Sequence, residues 1–201
     1  MSERIAIDIA LLLPEEINNK VMQINKALIK EFPPNIVFNE KNCFPHISLF
    51  MGVIEKEKLP EIDKVLASII EKFQVLKLDV KEIDEGETLP DGYKTPSFKI
   101  TRNAELQLLH ERIMDLIRPL SSYDATADDC YNPSEIKDLT FEWINKYPKY
   151  AYKKFNPHIT LGSGITNYND FPIKFSVSRL VVSQLGNYCT CRKILIEKEL
   201  R

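Results

Sequence analysis

Apolar and polar residues follow two alternating patterns along the chain, one typical of strands and one typical of helices. A nearly unbroken apolar run at residues 5–13 predicts a buried strand, and apolar residues then recur at steps of three and four from 15 to about 30, which predicts an amphipathic helix. The same patterns predict strands at 36–38, 44–53, 75–83 and 97–100, and helices at 59–72 and 103–118, the second of them capped by Asn103.

The pattern weakens between residues 121 and 154, a polar, tyrosine-rich connection that contains Trp143 and one short predicted helix at 134–145. Strands are predicted beyond it at about 155–161, 173–184 and 191–199. This order of elements predicts an α+β fold with mainly antiparallel sheets and helices packed against them. We expect residues 1–201 to form a single domain of two lobes, connected at about 121–154.

One short segment occurs twice: Pro-His-Ile-Ser-Leu at positions 45–49 recurs as Pro-His-Ile-Thr-Leu at positions 157–161. Successive side chains of a strand point to opposite faces, so His46 shares a face with Ser48, and His158 shares a face with Thr160. Each copy therefore presents an imidazole and a hydroxyl together, about 7 Å apart along the strand, while its apolar residues enter the core.

The residue types of this pair suit phosphoryl transfer if the two halves are related by an approximate two-fold axis. An imidazole has an ordinary pKa of about 6.5, so near neutral pH one ring can accept a proton while the other donates one. The hydroxyls of Ser48 and Thr160 can donate hydrogen bonds to the phosphate oxygens. The symmetry of the two copies leaves open which histidine is the base and which is the acid.

These two His-x-Ser/Thr-x motifs resemble the hallmark of the two-histidine phosphoesterase superfamily, which includes bacterial RNA 2′,3′-cyclic phosphodiesterases, also called 2′–5′ RNA ligase-like proteins. The resemblance implies a bilobal, pseudo-two-fold duplicated fold around a water-filled central cleft. It also implies hydrolysis of a cyclic 2′,3′ or a 2′–5′ phosphodiester in a nucleotide or an RNA end, with no metal and no cofactor. The stretch at 121–154 is a departure that leaves the substrate open.

Four further residues are candidate substrate contacts. Tyr188 and Arg192 lie in a segment, 185–193, that is similar to one found in some members of the superfamily, although an ordinary surface loop and strand would explain them equally well. Phe44 and Phe50 fall on the histidine face of their predicted strand, where either ring can stack on a base or pack under a neighbouring loop.

The remaining histidine and the four cysteines are predicted to be structural. His110 has no paired motif and is expected on a helix surface. Cys43 lies an odd number of residues before His46, on the opposite strand face, which argues against a Cys–His nucleophile. We expect free thiols at Cys43, Cys130, Cys189 and Cys191. Neither motif carries a neighbouring carboxylate or second histidine at metal-ligand spacing, so no metal site is predicted.

Composition narrows the class of protein. The 201 residues are 44% apolar and 28% charged, as in an ordinary globular domain, and the net charge of −2 provides no global attraction to nucleic acid. No signal peptide or bilayer span is predicted, so we expect a cytoplasmic monomer. The alternatives to an enzyme are a module that binds a nucleotide or RNA end in the same cleft without turnover, and a purely structural protein.

Overall fold

The structure, a computed structural model, describes residues 2–86 and 88–201. Within them the eight strands are β1 (Arg4–Leu12), β2 (His46–Glu55), β3 (Leu76–Asp84), β4 (Ser97–Ile100), β5 (His158–Thr160), β6 (Ile173–Val177), β7 (Arg179–Gly186) and β8 (Thr190–Glu199). The four α-helices are α1 (Glu15–Glu31), α2 (Leu59–Ile70), α3 (Ala104–Ile117) and α4 (Asp138–Lys146). None of the helices in this part of the chain combines the length and the apolar character needed to cross a membrane.

The strands form two antiparallel sheets of four, in the orders β2-β1-β7-β8 and β5-β4-β3-β6. Each sheet carries one copy of the repeated motif, and each copy lies on an edge strand, β2 in the first sheet and β5 in the second. The two sheets are thus related by a pseudo-two-fold arrangement. The predicted α+β class with mainly antiparallel sheets is confirmed.

Two predicted strands differ from the structure. The apolar run at 173–184 is not one strand, because the chain leaves the second sheet at the end of β6 and enters the first sheet at the start of β7, with Ser178 between them. Residues 36–38 form no strand: the buried side chain of Asn25 donates to the carbonyl of Ile36 and accepts from the amide of Phe38, so it satisfies the backbone there without a neighbouring strand.

The connection at 121–154 joins α3 to β5, and the strands on either side of it, β4 and β5, are neighbours in the second sheet. Its apolar side chains nevertheless pack on the first sheet: Cys130 and Ile144 belong to a buried cluster with Val53 of β2 and Leu185 of β7. Backbone hydrogen bonds between Val53 and Ser122 extend this contact. The segment therefore covers one sheet while it connects elements of the other.

His110 is fully buried, so its predicted place on a helix surface is wrong. It shares the buried stripe of α3 with Leu106 and Ile113, at helical spacing. Its Nδ1 donates to the carbonyl oxygen of Leu49 at 2.7 Å, and its Nε2 accepts from the amide of Tyr152 at 2.8 Å. Burial lowers the pKa of His110, which keeps the ring neutral and lets Nε2 accept.

Candidate active site

His46 and His158 line one cavity of about 530 Å³, together with Ser48 and Thr160. His46 lies on the edge strand β2 and His158 on the edge strand β5. These two strands contact each other, so the two motifs meet although they are far apart in the sequence. The structure thus brings together the four residues that the repeated motif singled out. The other lining residues are Ile36, Phe38, Met51, Asp84, Gly86, Thr95, Ser97, Trp143, Tyr147, Tyr150, Lys154, Phe155, Asn156, Tyr188, Cys189 and Thr190.

The two histidine rings are held in the same way by their own strands. Nδ1 of His46 lies 2.8 Å from the carbonyl oxygen of Phe44, and Nδ1 of His158 lies 2.9 Å from the carbonyl oxygen of Asn156, in each case two residues back along the chain. Since a carbonyl oxygen only accepts, Nδ1 carries a proton in both rings. In each ring Nε2 is therefore the nitrogen whose protonation can change.

The first motif has a buried carboxylate behind it. Asp8 of β1 is 0% exposed, and its Oδ2 accepts the hydroxyl of Ser48 at 2.5 Å and lies 3.4 Å from Nε2 of His46. Its Oδ1 has no hydrogen-bond partner among the described residues. In the structure the Ser48 proton is directed at Asp8, whereas the sequence predicts that this hydroxyl donates to a phosphate.

The second motif has no such partner. Its neighbouring strand is β4, in which Ser97 pairs with Thr160. The neighbouring strand of the first motif is β1, which carries Asp8. No hydrogen bond to the Thr160 hydroxyl is made by the described residues, so this hydroxyl can turn toward a bound phosphate. His158 is exposed to the cavity, whereas the side chain of His46 is only 12% exposed.

The two imidazoles consequently have opposite shifts in pKa. Burial opposes protonation of His46, but the adjacent Cys191 sulfur and the Asp8 carboxylate outweigh it and raise the pKa of His46 well above its usual value. Burial also raises the pKa of the Cys191 thiol, an effect that the neighbouring His46 ring opposes. Desolvation by the cavity wall lowers the pKa of His158, and the Asn156 carbonyl opposes that effect.

A thiol and a carboxylate lie beside His46, which the linear spacing of the sequence did not indicate. The potential metal-ligand atoms of Asp8, His46 and Cys191 lie within 4.8 Å of one another, and the Cys191 thiol is 3.9 Å from Asp8 Oδ2. The carboxylate already accepts the Ser48 hydrogen bond and faces the His46 ring, so hydrogen bonding and charge explain the cluster without an ion. All four cysteines are free, as predicted, and all four are buried.

Cys43 has the properties of a buried structural thiol. Its exposure is 1%, and burial raises its pKa, an effect that the nearby Arg192 guanidinium opposes. A protonated, enclosed thiol is a poor nucleophile. This agrees with the argument from strand parity against a Cys–His pair.

Of the four candidate contacts, the structure brings only Tyr188 to the cavity. The ring of Phe44 packs in a small cluster between β1, β7 and β8, and the guanidinium of Arg192 lies 5.5 Å from the centre of the Tyr131 ring. Phe50 is 0% exposed, and its ring packs tilted against the ring of Tyr123 and edge-on against the ring of Tyr147.

A β-bulge explains why Phe50 leaves the histidine face. In the β1–β2 ladder Ile9 pairs with Phe50 and Ala10 pairs with Ser48, so Leu49 is the extra residue on β2. The extra residue reverses the alternation, and Met51 takes the place on the cavity face that parity had given to Phe50. The carbonyl of Leu49, freed from the ladder, is the one that His110 binds.

Sequence reasoning missed most of one cavity wall, which comes from the connection at 121–154. Trp143, Tyr147, Tyr150 and Lys154 all line the cavity. The tyrosine-rich composition of this segment was the available signal. Asp8 was also missed, and its signal was the single charge within the apolar run at 5–13.

Comparison with known proteins finds relatives by structure only, since no family model and no curated protein matches the sequence. TT0787 of Thermus thermophilus is 14% identical, with 98% of each chain covered and a TM-score of 0.59. E. coli LigT complexed with NADP+ is 17% identical over 98% of this chain and 99% of LigT, with a TM-score of 0.54, and LigT complexed with 3′-AMP is 17% identical over 99% of each, at 0.52. A protein described as a phosphoesterase is 16% identical over 97% of this chain and 98% of its own, at 0.50.

These identities are low, but the coverage is nearly complete in both directions, so the likeness concerns the whole fold and not one lobe. The chain has the fold of LigT and of a phosphoesterase, as its resemblance to the two-histidine phosphoesterase superfamily predicted.

Proposed function

We propose that the protein is a phosphodiesterase that hydrolyses a cyclic 2′,3′ or a 2′–5′ phosphodiester in a nucleotide or an RNA end, by metal-independent general acid–base catalysis with His46 and His158. One observation carries the proposal: two imidazoles from distant positions in the chain line the same cavity, each on an edge strand with a hydroxyl two residues later. Two proton-transfer groups at one site are what an in-line displacement at phosphorus requires.

The reaction needs a proton to leave the attacking water and a proton to reach the leaving oxygen. One imidazole takes the proton of the water as its oxygen bonds to phosphorus, and the other gives a proton to the ribose oxygen as the phosphorus–oxygen bond breaks. The product is a phosphomonoester with a free hydroxyl. Each positioned proton transfer contributes about 10²- to 10⁴-fold to the rate.

The rest of the cavity suits a nucleotide. Thr160 provides a hydroxyl and Lys154 an ammonium group for the phosphate, and Trp143 and Tyr188 provide aromatic surface for a base. The LigT structures with NADP+ and with 3′-AMP show that a protein of this fold binds nucleotides.

Hydrolysis of 2′,3′-cyclic nucleotides and 2′–5′ linked dinucleotides, in the presence of a chelator and with product analysis, tests the proposal. His46→Ala and His158→Ala should each remove most of the turnover, whereas Lys64→Ala, on the exposed face of α2, should leave it unchanged. Full activity in either histidine variant would overturn the mechanism. Tight nucleotide binding by the wild type without turnover of any of these substrates would support the binding module instead.

A further inference from the structure

Three potential metal ligands that are far apart in the sequence come together beside the cavity. They are Asp8 of β1, His46 of β2 and Cys191 of β8, and together they form the Asp–His–Cys cluster. Strand β1 pairs with β2, and a bridge between Phe44 and Cys191 brings the start of β8 to the first motif. Linear spacing predicts no metal site here because each ligand comes from a different strand.

The distances within the cluster suit a tetrahedral cation. Oδ2 of Asp8 lies 3.4 Å from Nε2 of His46 and 3.9 Å from the Cys191 sulfur, and the ligand atoms of all three lie within 4.8 Å of one another. Zinc–ligand bonds of about 2.0 to 2.3 Å at tetrahedral angles place neighbouring ligand atoms about 3.3 to 3.6 Å apart. The cluster therefore needs only a modest contraction to close on a cation.

Hydrogen bonds from outside the cluster already orient two of its ligands. Nδ1 of His46 donates to the carbonyl oxygen of Phe44 at 2.8 Å, which leaves Nε2, the nitrogen that faces Asp8, as the ligand atom of the ring. The Ser48 hydroxyl donates to Oδ2 of Asp8 at 2.5 Å. Histidines and carboxylates that bind metals characteristically have such outer hydrogen bonds, which fix the direction of the ligand atom.

Charge also favours a cation at this place. Asp8 and Cys191 are both 0% exposed, and the Ser48 hydrogen bond reaches only one of the two carboxylate oxygens. The other, Oδ1, has no hydrogen-bond partner among the described residues. Burying a carboxylate is costly unless its charge is compensated, and a divalent cation held by a carboxylate and a thiolate gives a site with no net charge. The unpartnered oxygen thus points to a ligand independently of the distances.

The donor atoms select the kind of cation. A sulfur, an imidazole nitrogen and a carboxylate oxygen suit zinc, whereas magnesium and calcium prefer oxygen ligands throughout. We propose that the Asp–His–Cys cluster is an inhibitory zinc site, in which Asp8, His46 and Cys191 hold Zn²⁺ and a water or a phosphate oxygen takes the fourth position. On binding, the proton of the Cys191 thiol and that of a protonated Nε2 pass to the solvent.

The inhibitory role rests on the proposed function, whereas zinc binding does not. A ring nitrogen that has given its lone pair to a cation can neither accept nor donate a proton. His46 bound to zinc is therefore lost to general acid–base catalysis, whichever of the two roles it has. A reaction that needs no metal should accordingly proceed in the presence of a chelator and stop when zinc is added.

The first test uses metal ions alone and does not depend on turnover. Co²⁺ added to the wild-type protein should bind in a single equivalent and produce a thiolate-to-cobalt charge-transfer absorption, which Zn²⁺ should abolish and Mg²⁺ should leave unchanged. Cys191→Ser should lose this absorption, whereas Cys130→Ser, which removes another buried free thiol, is the matched control and should keep it. No such absorption in the wild type, or one that survives in folded Cys191→Ser, would overturn the proposal.

The second test identifies the other two ligands. In ¹⁵N spectra of the histidine rings, zinc should shift Nε2 of His46 and leave His110 unchanged, because both nitrogens of His110 are hydrogen-bonded in the core. Zinc affinity, measured by competition with a chelator, should fall about 10- to 100-fold in Ser48→Ala, which removes an outer hydrogen bond, and further in Asp8→Asn. A zinc-induced shift of the His158 ring in place of His46, or unchanged affinity in folded Asp8→Asn, would contradict the proposed ligands.

Inhibition of hydrolysis connects the site to the reaction. Saturating Zn²⁺ should lower kcat of the wild type by about 10²-fold or more, the contribution of one positioned proton transfer, and a chelator should restore it. Each variant is compared with itself with and without zinc: Cys130→Ser should respond as the wild type does, and Cys191→Ser should be much less sensitive. Zinc binding at the cluster without inhibition would overturn the inhibitory role. If the wild type has no turnover even without zinc, the proposed function fails while the cobalt spectra still decide the metal site.

Discussion

The two motifs have nearly the same sequence and the same local geometry, yet their surroundings differ. In both, Nδ1 donates to the carbonyl two residues earlier, so the chain immediately before each histidine is enough to orient the ring. The first motif has the buried carboxylate of Asp8 behind it, whereas the strand beside the second motif carries Lys99 opposite His158 and no carboxylate. The comparison teaches that local sequence places an imidazole, and that the neighbouring strands decide which groups surround it.

The strands themselves also differ. β2 has ten residues and continues from the motif into the core, whereas β5 has three and ends at the cavity. His46 is accordingly enclosed and His158 exposed.

The strongest test of this difference between the motifs is to remove each imidazole and measure kcat as a function of pH. His46→Ala and His158→Ala should each lower kcat by about 10²- to 10⁴-fold at neutral pH. If one ring is the acid and the other the base, the two variants should lose opposite limbs of the profile. Loss of the same limb in both variants would mean that the two rings are equivalent.

The β-bulge on β2 predicts a contrast between adjacent residues. Phe50→Ala should reduce the free energy of unfolding by about 3 to 5 kcal/mol, because a fully buried ring leaves a cavity. Met51→Ala, whose side chain lines the cavity, should cost less stability and instead change KM. Chemical denaturation and steady-state kinetics measure the two effects, and a raised KM without lost stability in Phe50→Ala would contradict the register.

Substitutions of the two motif hydroxyls test whether the motifs differ in how they bind the phosphate. Thr160→Val, which keeps the shape and removes the donor, should lower kcat/KM by about 10²-fold. Ser48→Ala should have a smaller effect on kcat/KM and should lower the free energy of unfolding by about 1 to 3 kcal/mol, because Asp8 Oδ2 loses its hydrogen bond. Equal effects of the two substitutions on kcat/KM would show that both hydroxyls bind the phosphate.

The smallest expected effect is on stability as a function of pH. The pKa of folded His46 is raised, so its contribution is fully present below about pH 6.5 and is lost as the pH rises through the folded pKa. The free energy of unfolding of His46→Gln should therefore be furthest below that of the wild type near pH 6, and the difference should shrink at higher pH.

His158 should show the opposite trend. Its folded pKa is lowered, so the wild type loses stability as the pH falls through about 6.5, and His158→Gln escapes that loss. Thermal unfolding of both variants between pH 5.5 and 9 measures the trends. Parallel curves for the two variants would refute opposite shifts in the two rings.

Much of the fold was predictable where one local pattern dominates. The spacing of apolar residues predicted α1 and α3 to within a residue or so at each end, and the Asn103 side chain accepts from the amide of Leu106 as an N-cap should. The four motif residues were predictable because strand alternation is a local property that the sequence states twice.

Other features were not predictable because they depend on contacts between distant segments. The break at Ser178 separates two apolar stretches that look alike in sequence and differ only in which sheet receives them. The bulge at Leu49 is fixed from outside the strand by His110, and the cavity wall from 121–154 follows from packing on the first sheet.

The sequence by itself determined which side chains each motif presents, since the period of two in a strand places imidazole and hydroxyl on one face. Only the tertiary structure decided how the two copies differ, because β1 pairs with β2 and brings Asp8 next to His46 and Ser48, while β4 brings no carboxylate to hydrogen bond with its partner motif. A charge acts through space over a few ångströms, and that distance is set by which strands become neighbours rather than by their order in the chain.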